Sequence, residues 1–231
     1  MHSYLSHSLI STFLLFTIGF IWPSEDLNSD THPNSTIESE KLHSVSEGSV
    51  RMVIASAGNT ARYLVREQLA GFDFPNDAVG ETDAVSGAVV FTADGEVNQD
   101  ESSIVVDITG LTSDRDRRDG FIQRRTLESE TYPTVELVPI QTRGLEFPLP
   151  SSGSATFDIV GYLTVKDVTE VTSWRVTAQF NNGNMTGTAR TEFTFDEFGM
   201  EKPSVGSVLS VADAIRLELD FIFNIEQLAA N

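Results

Sequence analysis

The stretch Ile215–Ile225 reads IRLELDFIFNI. Ile215, Leu217, Leu219, Phe221, Phe223 and Ile225 fall on one side of a two-residue period, and Arg216, Glu218, Asp220 and Asn224 on the other. Successive side chains of a strand point to opposite faces, so this pattern is a strand with one face in an apolar interior and one in water. The same reading applies upstream. Trp174, Val176, Ala178 and Phe180 alternate with Ser173, Arg175, Thr177 and Gln179; Phe157, Ile159, Gly161, Leu163 and Val165 share a face, with Val160 an apolar exception. Glu192–Asp196 turns Phe193 and Phe195 inward.

Further strands are expected over Met52–Ser56, Ala61–Glu67, Ala84–Ala93, Ser103–Thr109, Thr134–Pro139 and Asn184–Arg190. Asn181-Asn182-Gly183-Asn184 is a strong hairpin signal, because Asn and Gly tolerate positive φ, and Asp94-Gly95 marks another turn. No long helical period appears, although Asp116–Leu127 has room for a short helix. About ten short strands joined by tight turns make an all-β chain, either a barrel or a sandwich. The inward set of Phe, Leu, Ile and Val with a Trp either fills a solid core or lines an apolar cavity. An eight-stranded barrel stands at that boundary, since its interior is just wide enough for one small ligand.

Composition removes several functions. Of 231 residues 40% are hydrophobic, enough for a core, and the net charge is −19. That sign disfavours phosphate backbones and anionic headgroups as partners, so nucleic acid is not expected. The chain has no cysteine, and its four histidines, His2, His7, His32 and His43, all lie in the N-terminal part. Thiolate and imidazole chemistry are therefore outside the body of the protein; carboxylate-only chemistry stays open, and with no cleft signalled for it no metal site or catalytic residue is expected there.

Leu9–Trp22 (LISTFLLFTIGFIW) is an apolar run shorter than the ~20 residues that span a bilayer. It fits the core of a secretory signal, with an uncleaved anchor as the alternative and the sole route to a membrane, because no Lys or Arg precedes it. Residues 23–48 are rich in Ser, Asp, Glu, Asn, Thr and Pro and read as a linker. The expected organisation is a signal or anchor over 1–22, the linker, a barrel domain over 49–226 and a tail over 227–231.

One segment interrupts the strands. Arg117–Pro133 reads RRDGFIQRRTLESETYP, with two arginine pairs in an acidic chain. Arg118-Asp119, Phe121-Ile122, Leu127 and Tyr132-Pro133, followed by the strand at Val135–Val138, resemble the YceI-like domain. So do Val160-Gly161-Tyr162-Leu163-Thr164-Val165 with Val168-Thr169, the Asp196-Glu197-Phe198-Gly199 turn, and the closing strand at Ile215–Phe223. The family often has Asp where Tyr162 stands and Gly where Asp167 stands. The resemblance covers roughly residues 49 to 226. It implies a lipocalin-like antiparallel β-barrel of about eight strands with a short helical connector and an apolar tunnel. It further implies an exported, non-enzymatic binder of polyisoprenoids or isoprenoid quinones, with no cofactor other than a bound lipid.

The candidate ligand contacts are Phe72, Phe74, Phe121, Leu127, Trp174, Phe193, Phe195 and Phe198, residue types that cores and ligand pockets share. The arginines of the connector have two readings: recognition of a pyrophosphate or quinone head, or pairing with nearby Asp114, Asp116 and Glu128, and the second is favoured because surface ion pairs are common. The acids Asp196-Glu197 and the Asp94, Glu96, Asp100, Glu101 group read as turn and loop residues. A surface interaction module that keeps the barrel without a ligand is the alternative function.

Overall fold

The computed structural model describes residues 48–71, 73–204 and 208–228. The apolar run over 9–22 and residues 23–47 of the linker lie outside the described residues. The strands are β1 (Val50–Ile54), β2 (Thr60–Leu69), β3 (Asn76–Thr82), β4 (Val85–Phe91), β5 (Ser103–Asp107), β6 (Thr112–Ser113), β7 (Thr134–Arg143), β8 (Ser152–Val165), β9 (Val168–Asn181), β10 (Asn184–Thr194) and β11 (Val208–Gln227). Between β6 and β7 runs the connector, an α-helix α1 (Asp116–Phe121) that widens into a π-turn over Ile122–Thr126.

All pairings are antiparallel, in the order β1-β4-β5-β7-β8-β9-β10-β11-β2-β3-β6, with β1 also paired to β11. That extra pairing closes the sheet. β11 holds β10 along one side, and on its other side β2 (Asp220↔Thr60 to Val208↔Leu69) and then β1 (Phe223↔Ile54 to Gln227↔Val50). Hence β1 and β2 are two halves of one barrel strand. The same holds for β3 with β4 and for β5 with β6, whose partners continue in step on either side of each break. The result is a closed eight-stranded antiparallel barrel, one of the two architectures that the alternation permits.

Three adjacent strands thus break at one level, and a break in a sheet strands backbone donors and acceptors. Side chains take their place. Asn59 is 2% exposed; its Nδ2 donates to the Ala55 carbonyl (2.7 Å) and its Oδ1 accepts from the Ile222 N–H (2.8 Å), supplying a missing rung between β1, β2 and β11. In the next strand Thr82 Oγ1 donates to the Asp107 carbonyl (3.2 Å) and accepts from the Ala84 N–H (3.2 Å). The seam also carries an outer belt. Arg62 on β2 reaches Glu81 on β3 (3.0 Å) and Asp220 on β11 (2.5 Å), and Asp220 accepts from Thr188 on β10 (2.6 Å). The Thr188 hydroxyl first, and then Arg62, hold the Asp220 carboxyl below its ordinary range.

The β9–β10 hairpin turns at Asn182 and Gly183 with φ of 40° and 89°, as the Asn-Gly signal requires. The short helix falls within the predicted span. Four expectations need correction. Asn76–Thr82 (NDAVGET) and Thr112–Ser113 are strands, though neither has an apolar alternation; each is held by its neighbour's ladder. The predicted strands over 184–190 and 192–196 are one strand, and Asp196 starts a tight turn.

The floor of the barrel is solid. Phe91, Phe157, Phe180 and Met185 are each 1% exposed, and Phe147 from the β7–β8 loop packs against Phe91 with the rings tilted and their centres 6.0 Å apart. Asn59→Ala leaves the Ile222 N–H and Ala55 carbonyl buried without partners. A loss of about 1–3 kcal/mol of unfolding free energy is expected, seen as a lower urea midpoint with unchanged slope.

Candidate functional site

The inward face of β2 carries Ala61, Tyr63, Val65, Glu67 and Leu69. β8 adds Ile159, Leu163 and Val165; β9 adds Trp174 and Val176; β10 adds Met185, Ala189 and Phe193; β11 adds Ile215, Leu217, Leu219, Phe221 and Phe223. These side chains do not meet at the axis. Above Met52, Val89 and Met185 they enclose a cavity of about 1070 Å³ that extends to the connector and to Pro203 and Val208. Small residues, Ala61, Ala78 and Ala189, keep the walls thin at the middle and upper levels.

Most of the expected contacts converge here. Phe121, Leu127, Trp174, Phe193 and Phe195 line the cavity. The Trp174 indole N–H donates to Thr172 Oγ1 (2.9 Å), so its polar edge is satisfied and its ring serves as wall. Phe198 is 1% exposed and lies against Phe193, ring centres 4.4 Å apart, but is not among the lining residues; it backs the wall. Phe74 is 80% exposed on the β2–β3 turn and takes no part in the lining, because the strand at Asn76 carries it past the rim. Phe72 lies outside the described residues.

The connector closes the upper end. Phe121, Ile122 and Leu127 face the cavity, and polar contacts fasten the segment down. Gln123 Nε2 donates to the carbonyls of Leu111 (3.0 Å) and Thr109 (3.3 Å), and Lys166 in the β8–β9 turn pairs with Glu128 (2.5 Å). The strongest tie is between Arg118 and Glu67, 2.6 Å apart, with side chains only 11% and 8% exposed. Arg118 also bonds Asp114 and Ser113 Oγ. Burial works against its charge, but the bonds to Asp114 and Glu67 more than offset it, and its pKa is raised. A buried pair of this kind costs several kcal/mol to break from one side.

Of the two readings of the arginine cluster, Arg118 takes the second. Its acid partner Glu67 sits on β2, two strands along the sheet from β6, which no count of neighbours along the connector would find. The signal was present in β2, where Tyr63 and Glu67 interrupt an otherwise apolar inward face. Arg115 pairs with Asp114 (3.6 Å) at the exposed rim, beside exposed Arg117.

Tyr63 is another polar group of the wall. Its ring lies across Gly80 on β3; a Cβ there would fall 2.2 Å from Tyr63 Cε1, so only glycine leaves room for it. Burial pushes the phenol pKa up, with Arg118 acting the other way, and the hydroxyl stays protonated. Glu197 is exposed on its turn and accepts from the Thr194 N–H and Oγ1, which hold it below the usual carboxylate range; it caps a turn. Among the described residues no group of three or more His, Asp or Glu side chains could hold a metal ion.

The arrangement is an apolar chamber with a polar clasp at its lid. The family model of the YceI-like domain matches residues 52–223. Three solved structures share the fold. A polyisoprenoid binding domain from Saccharophagus degradans, implicated in plant cell wall breakdown, superposes with a TM-score of 0.58 at 11% identity, over 76% of this chain and 98% of that one. BcnA of Burkholderia cenocepacia gives 0.53 at 16% identity, over 71% and 95%. A YceI protein of Campylobacter jejuni gives 0.51 at 12%, over 68% and 90%. No curated protein matches in sequence. With the barrel closed, the connector in place and the profile spanning the body of the chain, the protein belongs to the YceI-like domain family.

Proposed function

We propose that this protein binds a long apolar molecule, a polyisoprenoid or an isoprenoid quinone, inside the barrel and carries or sequesters it without chemical change. The observation that carries this reading is the chamber of about 1070 Å³ under the connector, at the upper end of the size of ligand pockets and lined mainly by apolar side chains. Burial there contributes about 25 cal/mol per Å² of apolar surface before the costs of binding, so a prenyl tail needs few polar contacts. The polyisoprenoid-binding domain that shares the fold supports the ligand class. The apolar run at Leu9–Trp22 supports a place of work outside the cytoplasm. An interaction module without a ligand would have little use for a hollow interior, and a well-packed core would serve it better.

The full chain purified from a lipid-containing host, extracted with organic solvent and analysed by mass spectrometry, is expected to release a prenyl lipid in near-stoichiometric amount. Recovery of no apolar molecule, together with failure of the stripped protein to take up a prenyl alcohol, would sink the proposal. Ala189→Phe directs a ring into the chamber from β10. It is expected to lower prenyl alcohol affinity at least about tenfold while the melting temperature holds or rises, because the ring fills space otherwise empty. Equal affinity for the two proteins would place the ligand elsewhere.

A further inference from the structure

We propose that the mouth of the chamber docks on the surface of a lipid bilayer, with Phe74 and Leu209 entering the headgroup layer, so that the ligand passes between bilayer and chamber without crossing water. This rests on the reading of the chamber as a site for a long apolar molecule, and it names the partner that supplies or receives that molecule.

Among the described residues Phe74 and Leu209 are the most exposed large apolar side chains, at 80% and 67%. Both flank the upper end of β2. Leu69, the last residue of β2, pairs with Val208, and Gln68 pairs with Ser210, which leaves Leu209 as the extra residue of a bulge. A bulge takes its extra residue out of the regular alternation and re-aims the side chain. On the other side of β2, Glu67 pairs with Asn76, and Phe74 stands two residues before Asn76 on the turn into β3. The chamber reaches the surface at this same end. Its lining passes from buried Leu69 to half-buried Pro203 and Val208, and to exposed Arg115, Asp116 and Arg117 at the start of the connector. The chain enters and leaves the barrel at the opposite end, where Val50 pairs with Gln227, so neither end of the described barrel covers the mouth.

The cargo decides the partner. A molecule held by apolar burial dissolves poorly in water, so whatever meets the mouth must itself offer an apolar phase. Exposed apolar side chains among polar ones mark contacts with membranes or with proteins, and a bilayer is both a contact surface and a store of such a molecule. The charges around the mouth fit its headgroups. Asp114, Arg115, Asp116 and Arg117 alternate in sign and are exposed, with Arg115 3.6 Å from Asp114. Beside Pro203, exposed Lys202 pairs with Asp213 (3.7 Å). Charges of both signs complement a zwitterionic headgroup, which carries a phosphate and an ammonium. The remaining exposed apolar pair, Tyr162 and Val171, are cross-strand partners on β8 and β9, on the far side of the barrel from β2, and neither lines the chamber.

The test uses the full chain stripped of lipid, with phosphatidylcholine vesicles and a prenyl alcohol as probes. Phosphatidylcholine is chosen because the net charge of −19 opposes anionic headgroups. The chain has no cysteine, so Phe74→Cys, Leu209→Cys and Val171→Cys each accept one polarity-sensitive dye. Vesicles are expected to brighten the dye at 74 and at 209 at least about twofold, and a quencher carried on the lipid to reverse this; the dye at 171 should not respond. Phe74→Ser combined with Leu209→Ser should slow prenyl alcohol transfer out of loaded vesicles at least about fivefold. Affinity for the alcohol added without vesicles should stay within about twofold, since neither residue lines the chamber and exposed substitutions cost little stability. A silent dye at 74 and 209, an equal response at 171, or transfer indifferent to the double variant overturns the inference while the chamber stands. So does a dimer in solution that the double variant abolishes with no dye response to vesicles, which makes the mouth a contact between copies. Failure to bind the alcohol without vesicles overturns the binding reading itself, and this inference with it.

Discussion

Everything in this protein depends on β11 pairing on both sides. Its 20 residues hold β10 along one edge and β2 and then β1 along the other, and that second edge turns an open sheet into a barrel. Closure removes exposed strand edges, which otherwise invite pairing with other chains. Three adjacent strands break at one level, and the breaks survive because side chains replace the lost backbone rungs. Asn59 does so between β1 and β2, and Thr82 between β3 and β4. A buried Asn or Thr in such a place is structural, however much it looks like a site.

Closure then sets the interior. Eight inward faces enclose a volume that large side chains fill and small ones leave hollow. Here the large ones, Phe91, Phe157 and Phe180, collect at the floor, and Ala61, Ala78 and Ala189 line the space above. The connector covers that space. Its apolar residues face the chamber, and its charges are spent on the clasp to Glu67 and on the rim.

Much of this was readable in advance, for reasons that belong to particular residues. The period of two in β9 and β11 is legible because one face is wet and the other dry. The Asn182-Gly183 turn is legible because positive φ is costly for most residues. Phe121, Leu127, Trp174, Phe193 and Phe195 line the cavity because they sit on inward faces or on the connector. Phe74 lies outside the lining, since apolar character alone does not say on which side of a rim a turn residue emerges. β3 escaped because NDAVGET has too few apolar residues to show a period; its neighbours' hydrogen bonds, not its own side chains, make it a strand. Glu67 and Tyr63 were visible as polar interruptions of a dry face, but their partners Arg118 and Gly80 lie 51 and 17 positions away.

The sequence by itself determined the all-β character, most strands and the turns between them, the connector and the family, because these follow from local periodicity, backbone preference and the order of short motifs. Tertiary structure alone decided that the sheet closes, that the interior is hollow, and that Arg118 is clasped by Glu67. Each of those depends on which distant residues are brought together, and on whether the summed side-chain volume fills the space closure creates. Neither quantity is carried by any one segment of the chain.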